Sequence, residues 1–250
     1  MKTFAPAAEA DEDAEPFEEP LEHAAIANVA IAASRRVLKK RMRKISTLMP
    51  CHPDYRHLGC RSATPKRCCM KWYFEPGHSA AEFRARHMMV TWVRGSFKNV
   101  EGHLEFDPAN PRELSVETAI KASTCWTGVD ARDGHLRSPD FLDCERFPDI
   151  RFKSTATEEI GPVDYRVAGD LTIRDATRPV TLRVRYLGSW QTPWWEDGVD
   201  KGPKTRAGFV ARARIDRYDF GVKWNDSMPD GGVVVSPQID IVIDVEAIRE

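Results

Sequence analysis

From Lys71 onward, apolar and polar residues alternate along the chain with a period of two. In VEGHLEFD, Val100, Gly102, Leu104 and Phe106 share one face while Glu101, His103, Glu105 and Asp107 share the other, as in a half-buried strand. LSVETAIKAS repeats the pattern through Leu114, Val116, Thr118, Ile120 and Ala122, and VTLRVRYLG through Val180, Leu182, Val184 and Tyr186. RAGFVARARI carries Ala207, Phe209, Ala211, Ala213 and Ile215 inward, and QIDIVIDVEAI carries Ile239, Ile241, Ile243 and Val245. SAAEFRARH, RGSFKNV, IRFKSTA and YRVAGDLTI add further strands, separated by turn residues such as Asp107-Pro108, Gly161-Pro162 and Arg174-Asp175. The pattern predicts about eight antiparallel strands, each with one apolar face to bury. A sandwich or a closed barrel buries such faces, and closure also removes the exposed edges.

An eight-stranded barrel is just wide enough to fill with side chains or to hold one small ligand. The inward positions here mix large residues with small ones: Ala85, Gly102, Ala122, Ala156, Gly169, Ala207, Ala211 and Ala213. That mixture predicts a cavity. Aromatic residues recur in nearly every element, and for at least half of them core packing is sufficient explanation. Those beside the small residues are expected to line a tunnel: Phe83, Phe97, Phe106, Trp126, Phe141, Phe152, Phe209 and Phe220, together with Leu104, Ile120, Leu182 and Ala211. An apolar pocket needs a few polar groups to fix one end. His87, Arg132 and Asp170 are the candidates.

FEPGHSAAEFRARHMMV, then VRGSF, RDGHLRSPDFLDCERFPDIRFKST, GDLTIRDATRPVTL and RYDFGVKW follow one another in an order and spacing that resemble the YceI-like family over residues 71–248. The resemblance implies a lipocalin-like antiparallel barrel holding a long isoprenoid or fatty amphiphile along its axis. It calls for no cofactor beyond a bound isoprenoid or quinone-like lipid. Many members carry a signal peptide; this chain lacks one, so a cytoplasmic protein is expected.

The run RDGHLRSPDFLD interrupts the alternation with a dense set of charges. Asp130 fits a helix N-cap, with Ala131 to Leu136 forming a turn or two and Ser138-Pro139 closing them. In a barrel like the family's this is a helical corner, with Phe141 and Leu142 inward and Phe147-Pro148 restarting the sheet. Arg132, Asp133, His135 and Arg137 then form a latch of hydrogen bonds and ion pairs. The competing reading is a hydrolase using His87, Arg132, Asp133 and His135 on an amphiphilic substrate. A separate nucleophile arrangement would have His87 or His135 activate Ser79, with Asp133 or Asp170 orienting the histidine. No Gly-x-Ser-x-Gly elbow or glycine-rich oxyanion loop accompanies Ser79, which favours the corner and a protein that is not an enzyme. His78, His87, His103 and His135 lack the spacing of a metal-ligand pair.

Residues 1–69 show no sustained period. An acidic block over 9–22 and a basic block over 35–44 nearly cancel, and the whole chain, with 37 basic and 38 acidic residues, has a net charge of −1 that implies no nucleic-acid partner. One helix is expected over 21–44, as a docking segment or, since its apolar face is mostly alanine, a solvated extension. The apolar run Ala24 to Ala33 is too short to span a bilayer, so no stable membrane insertion is expected. Cys51, His52, His57, Cys60, Cys68 and Cys69 depart from the usual spacing of zinc ligands. Met70 stands immediately before the first ordered pattern, which makes it a candidate start of translation. The sequence thus reads as a lipid-binding barrel over 70–250, compatible with a homodimer, preceded by an extension.

Overall fold

The computed structural model describes residues 70–250 except 109, 111, 112, 227, 229 and 230. The helix expected over 21–44 and the Cys51–Cys69 cluster lie outside the described residues. In chain order the strands are β1 (Lys71–Phe74), β2 (Ala80–His87), β3 (Thr91–Lys98), β4 (Glu101–Glu105) and β5 (Ser115–Lys121). A helix, α1 (Asp130–Arg137), precedes β6 (Asp149–Glu159), β7 (Asp164–Ile173) and β8 (Ala176–Thr192). A short hairpin of β9 (Trp195–Glu196) and β10 (Val199–Asp200) leads to β11 (Lys204–Asp216) and β12 (Val235–Arg249).

The ten strands of the main sheet close on themselves through β1 and β12 and are antiparallel throughout. They fill eight places in the ring, because β1 with β2 and β3 with β4 each share one. A 3-10 turn at Pro76–His78 breaks the first pair, since proline has no N–H to continue the ladder. Asn99, at φ 57°, breaks the second. Ser79 repairs the first break: its hydroxyl donates to Glu246 O at 3.4 Å and accepts from Glu246 N–H at 3.3 Å.

The seam between β3 and β5 closes differently. Ser96 of β3 exchanges backbone hydrogen bonds with Trp126, at 2.8 and 3.0 Å. The segment between β5 and β6, with α1 inside it, therefore fills the seam and covers that end of the barrel. The opposite end is closed by aromatic packing. Phe106 meets Tyr165, Tyr186 and Phe209 with ring centroids 4.9–6.1 Å apart, and Trp72 Nε1 donates to Phe106 O at 2.9 Å.

Two bulges alter the simple alternation. The β6–β7 register shifts between Ser154 and Ala156, so Ala156 points outward and is exposed, and Thr157 turns in to donate to Leu114 O at 2.6 Å. In β8, Gly188 pairs with Gly208 while Tyr186 pairs with Phe209, leaving Leu187 as the extra, exposed residue. Several small residues expected to leave room instead admit a neighbour. A Cβ on Gly102 would stand 2.5 Å from Glu117 O, and one on Gly169 would stand 2.5 Å from both Lys153 O and the Phe152 ring. Only part of the small set opens onto free space.

Candidate functional site

Between the aromatic floor and α1 lies a cavity of about 580 Å³. Ala85, Ala211 and Ala213 open onto it, and its wall is otherwise mostly aliphatic and aromatic. Each wall residue is placed by the period-two pattern: Phe83 follows Ala81 and precedes Ala85 on β2, and Phe209, Ala211, Ala213 and Ile215 follow one another on β11. Of the residues nominated from sequence, Phe83, Phe97, Leu104, Ile120, Phe152 and Leu182 line its strands. Phe209 and Ala211 line it from β11, and Phe141, Phe220, His87 and Arg132 at the covered end.

Three nominations are corrected. Phe106 does not line the cavity; it is 1% exposed and locked in the aromatic floor beneath it. Trp126 is 58% exposed, because the Ser96 pairing turns its side chain outside the seam. Asp170 sits on the outward face of β7, paired with Pro179 and Lys153, and so cannot serve the polar end.

The charged corner is spent on holding itself together. Asp133, buried within α1, accepts from Thr127 N–H at 2.8 Å and from the Thr127 hydroxyl. Arg132 Nε donates to Thr127 Oγ1 at 2.7 Å and its Nη2 to Thr127 O at 3.2 Å. His135 Nε2 lies 3.0 Å from Asp140 Oδ2, with its ring edge-on to Phe141 and Trp224. Arg137 donates to Cys125 O. The latch read from sequence is present, but the cap assignment changes: Val129 is the N-cap residue, and it makes no side-chain cap bond, while Asp130 is the first helical residue. Burial, with the Asp133 carboxylate nearby, pushes the Cys125 thiol up to about 12.

A Ser79 nucleophile activated by His87 does not assemble. Ser79 immediately precedes β2 and His87 ends it, and eight residues at about 3.3 Å each hold them roughly 26 Å apart, while the Ser79 hydroxyl is engaged with Glu246. Among the described residues, no three His, Cys, Asp or Glu side chains converge on a metal site. No helix among them is long and apolar enough to cross a membrane.

Among the lining residues that the sequence reading did not nominate, one carries a buried charge into the site. Arg217, 5% exposed, lines the cavity beside Phe220. Its Nε donates to Ser236 O, Nη1 to Val222 O and Trp224 O, and Nη2 to Val235 O, at 2.7–3.0 Å. These bonds tie the β11–β12 connection to the barrel wall. Burial lowers the pKa of this arginine from the usual guanidinium value. A signal for it existed: continuing the inward period of β11 past Ile215 lands on Arg217, a charge on an otherwise apolar face. The rim thus carries His87, Arg132, His135 and Arg217 around an apolar interior.

A YceI-like domain model matches residues 72–247. A protein named YceI from Escherichia coli is 35% identical over 176 residues, covering 70% of this chain and 84% of that protein. Among solved structures, a Campylobacter jejuni YceI protein superimposes with a TM-score of 0.54 at 27% identity, covering 66% of this chain and 89% of its own. Burkholderia cenocepacia BcnA superimposes with a TM-score of 0.56 at 21% identity, over 69% of this chain and 98% of its own, and shares the fold. With the barrel, its covered cavity and these matches in hand, the chain belongs to the YceI-like family.

Proposed function

We propose that this barrel binds a long-chain isoprenoid or related amphiphilic lipid, with the chain in the cavity and the head group at the rim, for carriage, storage or sequestration. The observation that carries the reading is the cavity: about 580 Å³, walled mostly by aliphatic and aromatic side chains, with His87, Arg132, His135 and Arg217 among its few polar lining residues. That volume falls within the range of small-molecule sites, roughly 300–1,000 Å³. Burying each methylene is worth about 0.8 kcal/mol, so depth sets chain-length preference. A head group rich in acceptors suits the rim, where Arg132 and Arg217 supply positive charge. Binding of this kind requires no covalent step.

The test is organic extraction of the purified protein followed by mass spectrometry. A prenyl or long acyl species in stoichiometric amount is the expected result. A barrel that carries no lipid, and takes up none when offered farnesol or a long-chain amphiphile, would overturn the reading.

A further inference from the structure

At the covered end of the cavity, one part of the rim, the β2–β3 connection, exposes apolar side chains. The β2–β3 connection turns through His87-Met88-Met89-Val90, closed by Val90 N–H to His87 O at 3.1 Å. Both central residues have positive φ, 48° and 60°. Positive φ at both positions is a backbone conformation that Asn and Gly adopt most easily and that a methionine side chain disfavours. Here two methionines occupy it and valine follows. Met88 and Met89 are 44% and 47% exposed, and Val90 is 79% exposed, so core packing does not account for the choice.

The turn adjoins the cavity directly. His87 lines it, and Met88 N–H donates at 2.8 Å to the carbonyl of Val234, another lining residue. Trp126 and Val129, both exposed, extend the same rim. Because Trp126 pairs antiparallel with Ser96, the chain from 126 to 129 runs along β3 toward the turn. Charges beside this rim have both signs, Asp130 and Asp140 next to Arg132 and Arg137.

We propose that this rim docks on the surface of a lipid bilayer, with Met88, Met89 and Val90 inserted among the acyl chains, so that a lipid passes between bilayer and cavity without crossing water. The proposal rests on the reading of the cavity as a lipid site. A bilayer is the occupant that fits: the apolar rim runs on into an apolar cavity, the cargo itself partitions into bilayers, and mixed charge gives no footing for an acidic or basic partner. Short apolar insertions of this type draw their binding from buried apolar area.

The test is flotation of the full chain with zwitterionic phosphatidylcholine vesicles at about 1 M salt, which screens any attraction of the basic 35–44 segment. The comparison is the double variant Met88→Asn/Met89→Gly, which places the favoured residues in the turn and so keeps the barrel folded, as a melting curve checks. Wild type is expected to float with the vesicles, and the variant's bound fraction to fall about tenfold or more. Binding of soluble farnesol, followed by calorimetry, is expected to be the same in both. Equal flotation of the two proteins, no flotation of wild type, or self-association abolished by the same substitutions without vesicle binding would overturn the docking. Flotation that depends on the turn, without farnesol binding by either protein, would support the docking and overturn the lipid reading of the cavity.

Discussion

Asp133 and Thr127 are joined twice: the buried carboxylate accepts from the Thr127 backbone N–H at 2.8 Å and from its hydroxyl, while Arg132 Nε reaches the same hydroxyl at 2.7 Å. An aspartate six residues along the chain thus fixes the entry to α1 in place of an N-cap side chain. Asp133→Ala leaves two donors of Thr127 without their acceptor in a buried setting, and is expected to cost about 2–4 kcal/mol in urea denaturation. Asp133→Asn keeps one acceptor oxygen and should cost less than the alanine variant. An undisturbed denaturation midpoint in Asp133→Ala would show that the corner is not held by this carboxylate.

Cavity depth is tested at Ala211. It lines the cavity between Phe209 and Ala213 on β11, and its methyl group leaves space that a phenyl ring would occupy. Ala211→Phe is expected to shorten the longest chain recovered from the protein, with a loss of about 0.8 kcal/mol for each methylene excluded. Mass spectrometry of lipids bound from an equimolar mixture of prenols of graded length checks this. A chain-length preference identical to wild type would place the ligand elsewhere.

Titration of Cys125 links the corner to stability. Burial raises its thiol from 9.0 to about 12, so the folded chain retains this proton at pH values where the unfolded chain has lost it. Stability from this group is complete below about pH 9 and is lost as pH rises from there toward 12, at up to about 1.4 kcal/mol per pH unit. Cys125→Ala should flatten that part of the decline, measured by urea denaturation at pH 8, 9 and 10. Cys144 is raised in the same direction, again chiefly by burial. Both thiols are therefore expected to react slowly with a disulfide reagent at pH 8 until the chain is unfolded.

The barrel itself was legible because alternation is a local property: every lining residue on β11 and most on β12 follows from counting by two. The departures have separate causes. Alternation places Ala156 inward, because an added residue in a strand leaves no mark on composition yet reverses the facing of all that follow. Phe106 obeys the alternation and still misses the cavity, since period gives the face and not the height along the axis, where floor and cavity divide. The outward placing of Trp126 depends on its pairing with Ser96 across a seam between β3 and β5 that only the closed topology reveals. Asp170 lies between Gly169 and Leu171 on β7, and the local period already puts it on the outward face.

Two glycines with opposite surroundings test how tightly the wall is built. Gly169 on β7 faces the Phe152 ring and Lys153 O, each 2.5 Å from where a Cβ would stand, and the carbonyl belongs to the neighbouring strand. Gly169→Ala must therefore push β6 and β7 apart or displace the ring into the cavity, and a cost of about 1–3 kcal/mol is expected. Gly134 lies in α1, exposed, with nothing within 4 Å of its Cβ position. Gly134→Ala removes backbone freedom from the unfolded chain and improves helix propensity, for an expected gain of about 0.5–1 kcal/mol. Urea denaturation of the two variants should give shifts of opposite sign. If Gly169→Ala proved neutral, the Phe152 ring would have swung aside at little cost, and the lipids bound by that variant should then be shorter, because the ring has only the cavity to enter.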